Sequence, residues 1–288
     1  MLGMFSQMTT SKPGRPMPYP TRAILAAVAV ALLSPTTAHA KAWTQPEGDG
    51  YAKVWVRGIF GSDAFLADDS IAPSDSYQDV SLRHYVEYGL TDDWTLLSHG
   101  APAGFAAYGD DSTAYVGPLA VGIRRGFVDG PVLLAAELQY GYAPPVGDDD
   151  LAQPDSELSY RPAVETHLGV GELQAGYGLG WGWIVGSVGF QWNSADEVDS
   201  AVTGFSQLGV KLSESWSAAA HTVIYEPLGD VEVTNVSGVG QTRYLGFGIG
   251  VSWWVTEAVG LSAGFDGAVY AESNAATPSF TLGVEGRF

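Results

Sequence analysis

The chain has no cysteine, which excludes a disulfide framework and thiol chemistry. It is poor in positive charge, with 13 Lys and Arg against 32 Asp and Glu and a formal net charge of −19. That balance argues against nucleic acid as a partner, because its binders carry basic patches. Charge of either sign is scarce: 16% of residues are charged, against roughly 25% in an ordinary globular domain. After Lys41 no stretch approaches the ~20 apolar residues that a membrane-spanning helix needs. No helical periodicity is present there either.

Glycine and aromatics stand where the charge is missing, with 37 Gly, 9 Trp, 14 Tyr and 11 Phe. That mixture suits strands and tight turns better than helices. At the N-terminus, Arg15 and Arg22 precede an apolar run over 23–33, and Ala38-His39-Ala40 follows before Lys41. Positive, apolar and small-x-small segments in that order predict a secretory signal peptide over 1–40, cleaved after Ala40. Residues 41–288 then form a single mature domain.

The mature chain alternates with period two. Leu245, Phe247, Ile249, Val251 and Trp253 are interleaved with glycine and serine, and Leu208, Val210 and Leu212 with Gln207, Gly209 and Lys211. Period two is the strand signature. Twelve segments are expected, near 51–60, 79–90, 94–101, 114–126, 131–142, 168–179, 183–192, 204–213, 216–226, 241–253, 258–270 and 279–288. Most are ten to thirteen residues long, enough for the ~9–11 with which a tilted strand crosses a bilayer. The connections alternate strictly between short and long. The long ones, near 61–78, 102–113, 143–167, 193–203, 227–240 and 271–278, hold most of the acids. The pattern predicts an all-β transmembrane antiparallel up-and-down barrel of about twelve strands in the cell outer membrane.

Aromatics flank both sets of connections. Trp94, Trp181, Trp183, Trp216, Trp253 and Trp254 sit by the short turns. Phe60, Tyr115, Tyr142, Trp192, Phe205, Tyr225, Tyr244 and Tyr270 sit near the long loops. This predicts an aromatic ring at each membrane boundary. Three of the basic residues (Lys12, Arg15, Arg22) precede residue 41, and most of the rest fall inside strands. A cation facing lipid at mid-membrane costs about 2–4 kcal/mol, so these face a polar lumen or a rim. Parity assigns Lys53, Arg57, Arg83, Glu87, Glu137, Glu172, Lys211, Asp266, Glu285 and Arg287 to the lumen. Arg125 shares parity with the apolar Leu119, Val121 and Ile123, and is expected to snorkel to the rim.

The chain ends SFTLGVEGRF. Phe280, Leu282, Val284 and Phe288 resemble the C-terminal signal that outer-membrane barrels offer to the barrel assembly machinery. Three further stretches, AWTQPEGDGYAKVWV (42–56), YVEYGLTDDWTLL (85–97) and GVGELQAGYGLGWGW (169–183), resemble the outer-membrane transporter-like family labelled as the putative MetA pathway of phenol degradation. The resemblance implies an outer-membrane barrel that passes small hydrophobic or aromatic compounds.

The expectation is a passive channel or transporter without enzymatic chemistry or cofactor, its charged lumen acting by lining a path. In a second version the inward charges pair across the lumen and plug it. The Pro-rich loop 143–167 is placed to fold inward as a constriction. An outer-membrane lipid hydrolase is the enzymatic alternative, for which His99 with Ser98 and His221 with Ser217 are the pairs to inspect. A soluble secreted β protein is a third reading. The acidic runs, such as Gly147-Asp148-Asp149-Asp150, lack EF-hand spacing and read as solvated surface loops, with divalent bridging to lipopolysaccharide as a middle case between that and a cation site. No resident metal is expected. The glycine strings sit at alternate strand positions with no following helix, so they are not phosphate loops.

Overall fold

The computed structural model describes residues 44–128, 130–147, 150–152 and 158–288. The expected signal peptide, 1–40, lies outside the described residues. The strands are β1 (Gly50–Phe65), β2 (Ile71–Thr91), β3 (Trp94–Tyr108), β4 (Asp111–Tyr115), β5 (Leu119–Val128), β6 (Val132–Ala143) and β7 (Thr166–Leu179). They continue with β8 (Gly182–Asn193), β9 (Ala201–Lys211), β10 (Trp216–Pro227), β11 (Arg243–Trp254), β12 (Val259–Glu272), β13 (Asn274–Ala275) and β14 (Ser279–Arg287). The described residues include no helix.

Each wall strand pairs antiparallel with its neighbours, and β1 bonds to both β2 and β14, so the sheet closes on itself. Twelve strands build the wall; β4 is a hairpin on β3, and β13 pairs with the tip of β1. Closure removes the open sheet edges of the wall, so its backbone N–H and C=O groups pair along the sheet instead of facing lipid. The closing register runs from Tyr51↔Arg287 to Ile59↔Ser279. Gly50 and Phe288 continue it, with N···O distances of 2.6 and 3.1 Å.

Three short turns use one device. The hydroxyls of Thr91, Ser213 and Thr256 each accept from the backbone N–H groups two and three residues further on. A local side-chain acceptor satisfies donors that the ladder has released, and so ends a strand cheaply.

The long-loop end differs from expectation. Segments 61–78 and 102–113 are largely strand, because β1 and β2 continue pairing up to Phe65↔Ile71 and β3 doubles back onto β4. Pro73 fits because it stands beside a register shift, where β2 no longer has β3 as a neighbour. The expected strand 114–126 is split: Ala114 and Tyr115 belong to β4, and the wall resumes at Leu119.

Alternation puts the apolar residues outside, with Val54 at 46% and Leu282 at 70% exposure. A largely apolar outer face on a closed antiparallel barrel defines a transmembrane β-barrel. The conventional core lies instead inside the long-loop end. Ile59, Tyr77, Tyr108 and Tyr115 of the inner wall enclose Leu151 and Tyr160 of the loop between β6 and β7, with Val236 of the loop between β10 and β11.

Parity also corrects the aromatic rings. Trp181, Trp216 and Trp253 are exposed on the outside, and Trp216 stacks on Trp253 at 5.5 Å. Trp183 and Trp254 instead line the interior. Tyr115, Phe205, Tyr225 and Tyr244 share the inner face too, since they pair with inner-face Gly104, Ser187, Thr203 and Tyr225 respectively.

Candidate functional site in the barrel lumen

On the inner face three regions are distinct. At the short-turn end, Arg124 of β5 is 5% exposed and lies between two buried carboxylates. Its Nη1 donates to Glu87 Oε1 and its Nε to Glu137 Oε2, each at 2.6 Å. Its Nη2 donates to Tyr85 at 3.0 Å. Gln174 bridges Glu137 (3.1 Å) to Glu172 (2.6 Å), and Gln139 also donates to Glu137. The segment before β1 closes over this network: Gln45 donates from its backbone to Thr95 Oγ1 (2.8 Å) and from Nε2 to Glu87 Oε2 (2.6 Å). A buried ion pair is stable when its remaining lone pairs are satisfied, as these largely are.

Across the barrel lies a cavity of about 460 Å³. Its wall is built from glycine, alanine and serine on β10 to β12, with larger side chains facing it. Tyr51 donates to Glu285 at 2.6 Å, and Trp183 Nε1 to Gln207 at 3.0 Å. His221 Nε2 lies 3.0 Å from Asp266 Oδ1. Lys53 stands over the Trp55 ring at 5.6 Å and Arg287 over Trp254 at 3.7 Å. Two glycines make this packing possible. A Cβ on Gly209 would meet the Trp183 indole, and one on Gly248 would meet both His221 and Asp266.

The third region lies toward the long loops. Arg57 and Arg83 project inward from β1 and β2, near Asp79, which accepts from Tyr115 at 2.6 Å. Tyr225 and Tyr244 face them as a parallel stack at 5.7 Å. Tyr160 closes this region from above. Its N–H donates to Asp150 Oδ1 (2.9 Å), and the neighbouring Ser159 exchanges backbone bonds with Thr234 and Val236. Burial, with the negative charge of Asp79 second, pushes the Tyr160 hydroxyl well above the usual phenol range. It therefore stays protonated and neutral inside the mouth.

Each sequence-chosen residue now has a place. Glu87, Glu137 and Glu172 belong to the Arg124 network; Asp266, Glu285, Lys53 and Arg287 surround the cavity. Lys211 stands opposite Ser217 at the short-turn end, exposed. The inward charges that pair do so along one side of the wall and not across the lumen: Arg124 of β5, which the sequence reading left out, meets its cross-strand neighbour Glu137 of β6 and Glu87 of β2, two strands away. Among the described residues none of Lys53, Arg57, Arg83, Lys211 and Arg287 forms an ion pair. The signal for Arg124 was present: Arg125 is on the outer face, over Trp94 at 5.2 Å, so its neighbour has to point in. The same step would have moved Trp254 inward from Trp253. Phe280, Leu282 and Val284 are exposed on the outer face, and Phe288 is exposed beside Gly50.

The histidines satisfy neighbours. His99 bonds Gln139, not Ser98, and His167 bonds Tyr140 at 2.7 Å. His221 pairs with Asp266, not Ser217. On the outer wall His84 Nε2 lies 3.1 Å from Ser98 Oγ. Ser98 is four residues beyond Trp94, which at ~3.3 Å per residue and a tilt near 40° puts it about 10 Å into the apolar belt. Among the described residues no group of three or more metal-ligating side chains occurs.

The fold defines the class: an outer-membrane β-barrel of twelve strands. No family model and no curated relative matches the sequence. The solved structures it resembles include the COG4313 outer membrane channel from Pseudomonas putida F1, at 16% identity and TM-score 0.61, over 89% of this chain and 100% of that one. The NanC porin matches at 7% identity and TM-score 0.54, over 81% and 98%. The KdgM porin matches at 6% identity and TM-score 0.50, over 82% and 99%. At these identities the likeness is one of fold.

Proposed function

We propose that the protein is a passive outer-membrane channel for small solutes, with a non-enzymatic lumen that is covered at both ends at rest. The observation that carries this reading is the cavity of about 460 Å³ inside a closed, apolar-faced wall, lined by side chains of both charges and by Trp55, Trp183 and Trp254. The solutes are small, and the indole faces favour hydrophobic or aromatic ones, in keeping with the phenol-pathway resemblance. Residues act by lining and orienting. The acidic outer loops meet lipopolysaccharide through divalent cations, and β14 with Phe288 engages the assembly machinery.

The refolded protein is expected to conduct in planar bilayers and to swell liposomes in small solutes. Silent bilayers together with no swelling overturn the channel in favour of a plugged barrel, which the Arg124 network and Gln45 would explain. The hydrolase alternative has one observation in its favour, the His84–Ser98 bond. That pair is surrounded by Leu82, Val86, Leu96 and Val121, and no acid orients the histidine among the described residues. We read it as two polar groups satisfying one another against lipid. Ester hydrolysis abolished by Ser98→Ala would reverse that reading.

A further inference from the structure

Arg57 and Arg83 occupy adjacent inward positions on paired strands. Arg57 lies opposite Ser81 and Arg83 opposite Trp55. They are therefore diagonal neighbours on one face, with Cβ atoms about 7–8 Å apart, close enough for their long side chains to converge. At that separation two like charges repel. Arg83 Nε donates to Ser81 Oγ at 3.2 Å. Among the described residues neither guanidinium has an ion-pair partner, and Arg57 has no hydrogen-bond acceptor.

Such an arrangement is costly. Arg57 and Arg83 are half-buried, and guanidinium groups partly withdrawn from water are ordinarily paired, as the fully buried Arg124 is here. Two adjacent ones repel unless a counter-charge lies between them. Asp79 is the nearby acid, and it supplies one negative charge for two positive ones. Tyr115 already occupies one of its oxygens, while the other, Oδ1, is buried without a partner. The facing wall offers the stacked ring faces of Tyr225 and Tyr244. In a chain of net charge −19, this part of the lumen is positive and aromatic-walled, with both arginines half-buried.

We propose that Arg57 and Arg83 form a carboxylate-binding rung, and that the solutes the channel takes are small organic carboxylates whose apolar body rests against Tyr225 and Tyr244. The guanidinium fork matches a carboxylate with two parallel bonds, a geometry lysine does not reproduce. This deepens the channel reading and rests on it. The bound anion supplies the missing counter-charge, and the acidic outer loops keep the rung from holding anions permanently at the mouth.

Calorimetric titration of the intact refolded barrel in detergent tests the rung directly, with benzoate as probe and the isosteric, uncharged benzamide as control. Benzoate is expected to bind one site, and benzamide about tenfold or more weaker. Arg57→Gln and Arg83→Gln should each weaken benzoate about tenfold, while Arg83→Lys, which keeps the charge, falls between. Heat-dependent gel migration checks that each variant has folded. Equal affinity for the two probes, no benzoate binding, or unchanged affinity in both Gln variants overturns the rung. Liposome swelling in a neutral pentose separates the two claims. Swelling without benzoate binding removes the rung alone, and benzoate binding without swelling keeps the rung and removes the channel.

Discussion

Tyr160, on the connection between β6 and β7, stacks on Tyr108 of β3 with ring centroids 5.1 Å apart. A loop residue is thus among the most deeply buried large side chains in the molecule, at 1% exposure. Tyr160→Ala should open the outer mouth. Its stack contributes about 0.5–1.5 kcal/mol beyond area burial, so the wall stays folded while single-channel conductance rises severalfold. Planar-bilayer recording checks this, and an unchanged conductance would show that the cap does not restrict the path.

Arg124→Met leaves Glu87 and Glu137 buried without their cation. Removing one partner of a buried pair costs about 3–5 kcal/mol, to be read from urea unfolding in vesicles. Adding Glu87→Gln and Glu137→Gln to the same chain should recover most of that loss. If the triple variant is no more stable than the single one, the loss comes from packing and not from charge.

Neighbouring positions on β14 should behave oppositely. Leu282→Arg places a cation in lipid and should cost about 2–4 kcal/mol. Thr281→Arg, one residue away on the inner face, should cost far less. Equilibrium unfolding of both in the same vesicles compares them, and equal costs would contradict the assignment of faces.

Phe288 pairs with Gly50 through its backbone and leaves its ring exposed. Its deletion should lower the yield of barrel inserted in cells while leaving conductance per assembled barrel unchanged. Comparing membrane-extracted amounts with single-channel currents separates the two effects. Normal yield with altered current would move Phe288 from assembly to transport.

Gly209→Val forces the Trp183 indole off the wall. Overpacking of this kind costs about 1–3 kcal/mol, and the freed indole should shift its fluorescence emission. An unshifted spectrum would mean that Trp183 does not lie over Gly209.

Much of the wall was legible in the residues themselves. Period-two alternation located the twelve crossings within a few residues, since a one-residue error would turn an entire apolar set such as Val54 and Val56 into the lumen. The same parity, followed one residue further, would have found Arg124 beside Arg125 and Trp254 beside Trp253. Proximity to a turn was a poorer guide than parity, and it misplaced Trp183, Tyr225 and Tyr244 into membrane rings. The long-loop end was harder. Segments 61–78 and 102–113 carry acids, prolines and glycines that read as loop, but above the membrane a strand is free to be polar on both faces. The apolar test has nothing to measure there.

The sequence by itself determined the number of wall strands, the lipid face and the presence of charge of both signs inside, because all three follow from alternation against an apolar solvent. Tertiary structure alone decided who meets whom: Arg124 with two acids, Lys53 and Arg287 with indoles, Tyr160 with Tyr108, and Arg57 and Arg83 with no acid of their own. Closure of the barrel and the path of two outer loops bring together residues distant in the chain. Those meetings are set by register and loop geometry, which no local pattern encodes.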